Sequence, residues 1–314
     1  MSSLIIAPIK LFPDNPKIKF MRLGNFGYVL SVIAIILTVV LLCTRGLNFG
    51  IDFTGGTLIE VRFEQVPDLS LLRKELEKTV PLEVTIQRFG SANDVLIRVG
   101  LDKTKTSQND IVEAIKHKLS SVSQGGIQYR RTDVVGPKVG DELIKAGALA
   151  LSLAIVCIGA YVWFRFEYQF SVGVSLALLH DAVLTLGFFS LTQLEFNLSS
   201  VAAVLTIVGY SVNDSVVVYD RIRENLRRFK KMKMADLIDL SLNETFSRTL
   251  LTSSTTLLAV IALVWFGGPV IRSFSMAMLF GIVIGTYSSI FVGGTLLLLF
   301  DFKRGETTEA VKQK

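Results

Sequence analysis

The stretch IKAGALALSLAIVCIGAYVWFRFEYQFSVGVSLALLHDAVLTLGFFSL, residues 144–191, contains two apolar runs separated only by RFEYQ. Each run, 144–164 and 170–191, is long enough to cross a hydrocarbon core of about 30 Å as a helix. Working outward, runs of the same kind occur at 27–44, 198–219, 250–266 and 274–300, so six transmembrane helices are expected. Half of the 314 residues are apolar and 19% are charged, with a mean hydropathy of +0.51, a balance that soluble domains do not normally show. The net charge of +6 does not point to nucleic acid, because the basic residues sit in short blocks beside the apolar runs rather than along one face. Such blocks signal membrane topology.

Lys10, Lys17, Lys19 and Arg22 precede the first run. Arg221, Arg223, Arg227, Arg228, Lys230, Lys231 and Lys233 lie between the fourth and fifth, and Lys303 and Arg304 follow the sixth. The connections 192–197 and 267–270 carry no Lys or Arg, and Gly267, Gly268 and Pro269 read as a tight turn. These placements predict that the N-terminal segment 1–26 and the tail 301–314 are cytoplasmic and that 45–140 is extracytoplasmic. Pro8, Pro13 and Pro16 break the N-terminal apolar patch, which has no small-residue cleavage pattern, so it is not read as a cleaved signal. Residues 220–248 are expected to be a cytoplasmic loop, amphipathic enough to lie on the membrane or against a partner. Cys43 and Cys157 fall within apolar stretches and read as small hydrophobes.

Residues 45–140 are polar enough for a small domain. TLIEVRFE (57–64) alternates as a strand, and LSLLRKELEKTV (69–80) places Leu69, Leu72, Leu76 and Val80 on one helical face. PLEVTIQRF (81–89) and DVLIRVGL (94–101) read as a hairpin turning at Gly90–Asn93. A second helix beginning near Ser107 carries Ile111, Ala114, Ile115 and Leu119, and GIQYRRTDVVG (126–136) closes the set. The order βαββαβ is that of a ferredoxin-like sandwich. His117, between Lys116 and Lys118, reads as solvated.

Ionisable side chains within spans are the informative ones, since a charge near the bilayer centre costs at least about 2.5–3.5 kcal/mol. His180 and Asp181 fall roughly 16 Å into the third span, near its middle. Asp214 lies near the end of the fourth span, flanked by Ser211, Asn213 and Ser215. Arg248 stands at a similar depth at the start of the fifth, so an Asp214–Arg248 pair is sterically feasible. Thr252, Thr255 and Thr256 follow it at helical spacing as a hydroxyl stripe. Two readings compete for these residues. In one, Asp214 gains and loses a proton, Arg248 tunes its affinity, and His180, Asp181 and the flanking hydroxyls form a polar relay. In the other, all of them are interhelical glue.

FGIDFTGGTLIEVRF (49–63), DVVGPKVGDEL (133–143) and VGYSVNDSVVVYDRIREN (208–225) resemble hallmark segments of the SecD/SecF family, of the resistance-nodulation-division superfamily. NETFSRTLLTSSTT (243–256) and FGGPVIRSFSMAMLFGIVIG (266–285) add to the resemblance. It implies a multi-pass protein of the bacterial inner membrane that promotes export of unfolded polypeptides. Its implied partners are a separate SecD polypeptide, the SecYEG channel and, in many bacteria, YajC and YidC. The implied energy source is a proton gradient, with no cofactor and no metal. The resemblance places Asp214 and Arg248 at the proton-coupling positions, and Asp52, Phe53, Thr54, Gly55 and Gly56 at the passage from the first span into the extracytoplasmic domain, where the glycines permit a close turn. A small-molecule efflux subunit would need a larger porter domain. An intramembrane hydrolase lacks GxSxG and HExxH, leaving a structural scaffold as the serious rival.

Overall fold

A helix in lipid satisfies its own backbone polar groups, and the computed structural model, which describes residues 16–80, 82–101, 108–123, 125–268 and 270–300, is built around six such helices. In chain order, α1 (Gly24–Thr44) leads to a short turn of helix, α2 (Ile51–Thr54). A small domain follows, comprising β1 (Gly56–Phe63), α3 (Leu69–Thr79), β2 (Val84–Phe89), β3 (Ser91–Val99), α4 (Gln108–Val122) and β4 (Ile127–Val135). The remaining spans are α5 (Pro137–Arg165), α6 (Tyr168–Thr192), α7 (Leu198–Arg228), α8 (Met234–Phe266) and α9 (Arg272–Ser288), the last continued by a π-helical turn (Ser289–Gly293) and α10 (Gly294–Leu298). Pro269, Lys303, Arg304 and the start near Ser107 lie outside the described residues.

Within the bundle α6 is the most enclosed helix, whereas α1, α5 and α8 present broad apolar faces outward. Phe170, Val174, Leu178, Val208, Val218, Tyr219 and Leu237 form a buried core. Helices α7 and α9 approach closely through small residues. A Cβ on Gly281 would fall 2.3 Å from Ile207, and one on Gly285 would fall 3.3 Å from Ser211. Such small-residue contacts let dispersion act in the absence of a hydrophobic driving force.

The expected loop at 220–248 is mostly helix: α7 runs on to Arg228 and α8 begins at Met234. Its amphipathic pattern has a physical reason, because Ile222, Leu237, Ile238 and Leu242 are buried against one another and the bundle rather than against lipid. Arg221 donates to Glu244 at 2.6 Å, and Asn225 donates to Glu244 and Ser241. The segment before α1 is clamped onto this hairpin. Asn243 exchanges two hydrogen bonds of 2.8 Å with the backbone of Ile18, and the amide of Met21 donates to Asp239.

The sheet is antiparallel in the order β2-β3-β1-β4, with Ile59 opposite Ile97 and Thr132. This is the ferredoxin-like arrangement. Alternation sends Ile59, Val61, Val95, Ile97 and Val99 to one face, where they pack on Leu72, Leu76, Ile115 and Leu119 of α3 and α4. His117 is exposed, as expected. The hairpin turn is tighter than the sequence suggests, because Gly90 takes a positive φ of 84° and Asn93 joins β3, donating to the carbonyls of Phe63 and Glu64.

On the opposite face Arg62 clamps the buried Asp94 through bonds of 2.6 and 2.7 Å. The Arg62 guanidinium, with help from Ser91, holds the Asp94 carboxyl down to about 2. A carboxyl whose pKa is depressed on folding adds stability above the unfolded value of about 4 and loses it as pH falls toward the folded value. Calorimetry between pH 6 and pH 2.5 should therefore show the sheet domain weakening below about pH 4. In Asp94→Asn the unfolding temperature should be lower at neutral pH and depend less on acid. At the α7–α9 contact, Gly281→Leu overpacks the crossing and should lower bundle stability by about 1–3 kcal/mol, measurable as a reduced melting temperature in detergent.

Candidate functional site

Asp181 is completely enclosed. Its helix, α6, carries it to the point where α7 and α9 converge. There the Ser211 hydroxyl of α7 and the Ser288 hydroxyl of α9 donate to Oδ2 at 2.5 and 2.7 Å. Oδ1 lies 2.9 Å from Nδ1 of His180. Oδ2 thus accepts from two neighbouring helices while Oδ1 meets the His180 ring, and one side chain ties three spans together. Gly281, Gly285 and Ser288 share one face of α9, and the missing side chain of Gly285, whose Cβ would lie 3.7 Å from Asp181 Oδ2, makes room for the carboxyl.

His180 extends the centre toward α1. Its ring lies against Tyr287, with centroids 6.4 Å apart, and the Tyr287 hydroxyl donates to the Gly27 carbonyl at 2.6 Å and lies 3.0 Å from the Ser31 hydroxyl. Nε2 of His180 is buried with no hydrogen-bond partner among the described residues.

Asp214 is 3% exposed, and its Oδ2 lacks a hydrogen-bond partner. The groups that act on its charge are Arg248 and Ser253, both on α8. Arg248 faces it without an ion pair within 4.0 Å among the described residues, and its side chain is exposed. Ser253 is occupied by Tyr210 and Thr286, at 3.2 and 2.8 Å. One helical turn from Ser211, the Ser215 hydroxyl is buried without a partner, and one turn further the same holds for Tyr219. The Tyr219 hydroxyl fits between two glycines, since a Cβ on Gly173 or Gly293 would fall 2.6 or 2.9 Å from it. The π-helical turn that presents Gly293 is a local irregularity of the kind found at functional sites.

The structure separates the sequence-expected residues into two groups. Asp181, His180, Ser211 and Ser215 lie inside the bundle, the first three in one network. Asn213 and Thr255 are exposed, and Thr252 is half-buried. The hydroxyls of Thr252, Thr255 and Thr256 donate back to carbonyls of their own helix, so within this chain the stripe lines no interior path. Sequence reasoning missed Ser288, Tyr287, Ser253 and Thr286. The signal available for Ser288 was its helical spacing from Gly281 and Gly285.

Residues Asp52–Gly56 join the sheet to the bundle. Asp52 Oδ2 accepts the first amide of α7, Leu198, at 2.9 Å, and Phe53 stacks on Phe196 at 5.7 Å. The Thr54 hydroxyl donates to the Gly50 carbonyl at 3.1 Å. Gly55 and Gly56 have φ of 69° and 117°, and a Cβ on Gly56 would meet the Val99 carbonyl at 2.4 Å. Only glycine fits this turn. Arg98 of β3 pairs with Glu195, at 2.9 Å, on the same side of the bundle.

Six apolar spans, buried carboxylates within them, and a ferredoxin-like domain anchored by a double-glycine turn define a multi-pass membrane protein of the transport type. Residues 114–303 match the family described as protein export membrane protein SecD/SecF, C-terminal, and residues 40–65 match the SecD/SecF GG motif. The chain belongs to the SecD/SecF family. It is 49% identical over 295 residues to the protein translocase subunit SecF of Rickettsia rickettsii, covering 94% of this chain and 96% of that one. To the Rickettsia bellii protein of the same name it is 48% identical, covering 96% and 99%. Among solved structures it resembles SecDF from Thermus thermophilus, a translocon-associated membrane protein, with a TM-score of 0.81 and 34% identity over 92% of this chain. A super-membrane-facing form of SecDF gives a TM-score of 0.68 at 35% identity over 93% of this chain. In both cases this chain spans 39% of the solved one.

Removing the Asp181 carboxylate strands two buried hydroxyls and a histidine. Asp181→Ala should therefore destabilise the bundle by about 3 kcal/mol or more, and Ser288→Ala by about 1 kcal/mol, both read as thermal unfolding shifts in detergent.

Proposed function

We propose that this chain is the SecF-type subunit of a protein translocase. It works with a separate SecD-type polypeptide beside the SecYEG channel, with YajC and YidC as further neighbours, and uses the proton gradient to promote export of unfolded polypeptides on the side that bears the sheet domain. The observation that carries this reading is Asp214, a carboxyl buried in the bundle whose Oδ2 has no hydrogen-bond partner among the described residues. Structural glue has no use for such an oxygen, whereas a group that gains and loses a proton has. Asp181 is the contrast, because both of its oxygens have hydrogen-bond partners and its role is to fix helix positions.

The partner face follows from exposure. Along α7, Ala202, Thr206, Gly209, Asn213 and Asp220 form an exposed stripe at helical spacing, and a Cβ on Gly209 would meet nothing within 4 Å. Arg248, Leu251, Thr255 and Leu258 are exposed on neighbouring α8. Small and polar residues facing lipid are costly, and a SecD-type helix seated there would enclose Arg248 and Asn213 beside Asp214. The basic residues around the α7–α8 turn support a cytoplasmic position for both termini. Protonation of Asp214 would then alter packing at the subunit boundary, and the Asp52–Gly56 turn would carry the displacement to the sheet domain.

The test uses inverted vesicles from cells depleted of the native protein. Asp214→Asn should co-purify with the SecD-type partner in normal amount, while gradient-dependent export falls to the depleted level. Export at the wild-type rate would instead make the chain a scaffold.

A further inference from the structure

At the end of the bundle that holds the α7–α8 turn, α5 stops at Arg165 and α6 starts at Tyr168. Phe166, between them, is buried, and two guanidinium groups share its ring. Arg165 lies 5.0 Å from the centroid, and Arg223, reaching across from α7, lies 5.7 Å from it. Two cations held against one ring repel each other, and an anion within reach of both relieves that repulsion. Neither forms an ion pair among the described residues, and Nε of Arg223 is buried without an acceptor. The carboxylates nearby do not fill the gap. Glu224 and Glu244 are engaged by Arg221, while Glu167 and Asp220 are exposed and form no ion pair among the described residues.

The surroundings fix what kind of anion reaches this place. Tyr161, Trp163, Phe164 and Tyr168 all project outward around the same turn, Phe164 at 93% exposure. Exposed aromatic residues at the end of two spans mark the boundary between acyl chains and headgroups. We propose that Arg165 and Arg223 bind the phosphate of an anionic phospholipid in the leaflet on the α7–α8 side, with the aromatic residues lying along its glycerol and acyl chains. Planar guanidinium groups match phosphate oxygens in pairs. Arg227, one turn beyond Arg223 and exposed, adds to the local field. A lipid held here would bridge α5 and α7.

The test uses the full chain, purified with the subunits that accompany it and reconstituted in phosphatidylcholine vesicles. Spin-labelled phosphatidylglycerol and spin-labelled phosphatidylcholine serve as the probes. Electron paramagnetic resonance should show phosphatidylglycerol preferred at the protein surface, with roughly a fivefold share of the preference per arginine. The preference should be lost in R165Q/R223Q, reduced in R165K/R223K, which keeps the charge without the planar fork, and largely kept in R227Q. Equal association of the two lipids with the wild-type protein, which needs no variant, would overturn the proposal. So would an unchanged preference in R165Q/R223Q. Loss of the preference on adding inorganic phosphate at constant ionic strength would assign the site to a free anion and overturn it as well.

Discussion

A carboxylate without access to water must find all its donors within the protein, and Asp181 imposes that demand on the centre of this bundle. Its partners come from α6, α7 and α9, so these helices are fixed in depth and rotation relative to one another. The glycines at 281 and 285 let the backbones come close enough for the hydroxyls to reach. Because such a network is costly when only partly satisfied, it selects one arrangement of the three helices. His180 and Tyr287 pass the constraint on to α1.

Against this fixed centre, the neighbouring polar groups are under-satisfied. Asp214, Ser215 and Tyr219 lie within about two turns of Ser211 on the same helix, and each has a buried oxygen without a hydrogen-bond partner among the described residues. A satisfied centre beside an unsatisfied file suits a protein that must keep its fold while one part changes state. Outside the bundle, Asp52 and Phe53 hold the double-glycine turn to α7 and its preceding loop, so under the proposed function a shift of α7 would reach the sheet domain through covalent and hydrogen-bonded contacts rather than through solvent.

Much of this was legible in the sequence because its signals are local. The six spans follow from run length, and the sheet domain from alternation between Ile59, Val61, Val95 and Ile97 and helical spacing between Leu72 and Leu76. Asp181 and Asp214 were visible as charges in apolar runs. Which way a hydroxyl points is not local information. Thr252 and Thr255 read as a hydroxyl stripe suited to waters or a neighbouring helix, yet Ser253 is the residue turned inward, because rotation of α8 is set by packing on α7 and α9. The 220–248 stretch misled for a related reason: an amphipathic pattern shows that one face is buried, and the burying surface here is a second helix rather than a membrane.

The central claim is that Asp214 exchanges a proton. Isotope-edited infrared spectroscopy on the full chain in its membrane complex, with aspartate carboxyl groups labelled, tests this directly by titration across the physiological pH range. The account predicts a protonated-carboxyl band that changes with pH in the wild-type protein and is absent from Asp214→Asn. A spectrum without any titrating carboxyl band, or one whose titrating band survives in Asp214→Asn, would contradict it.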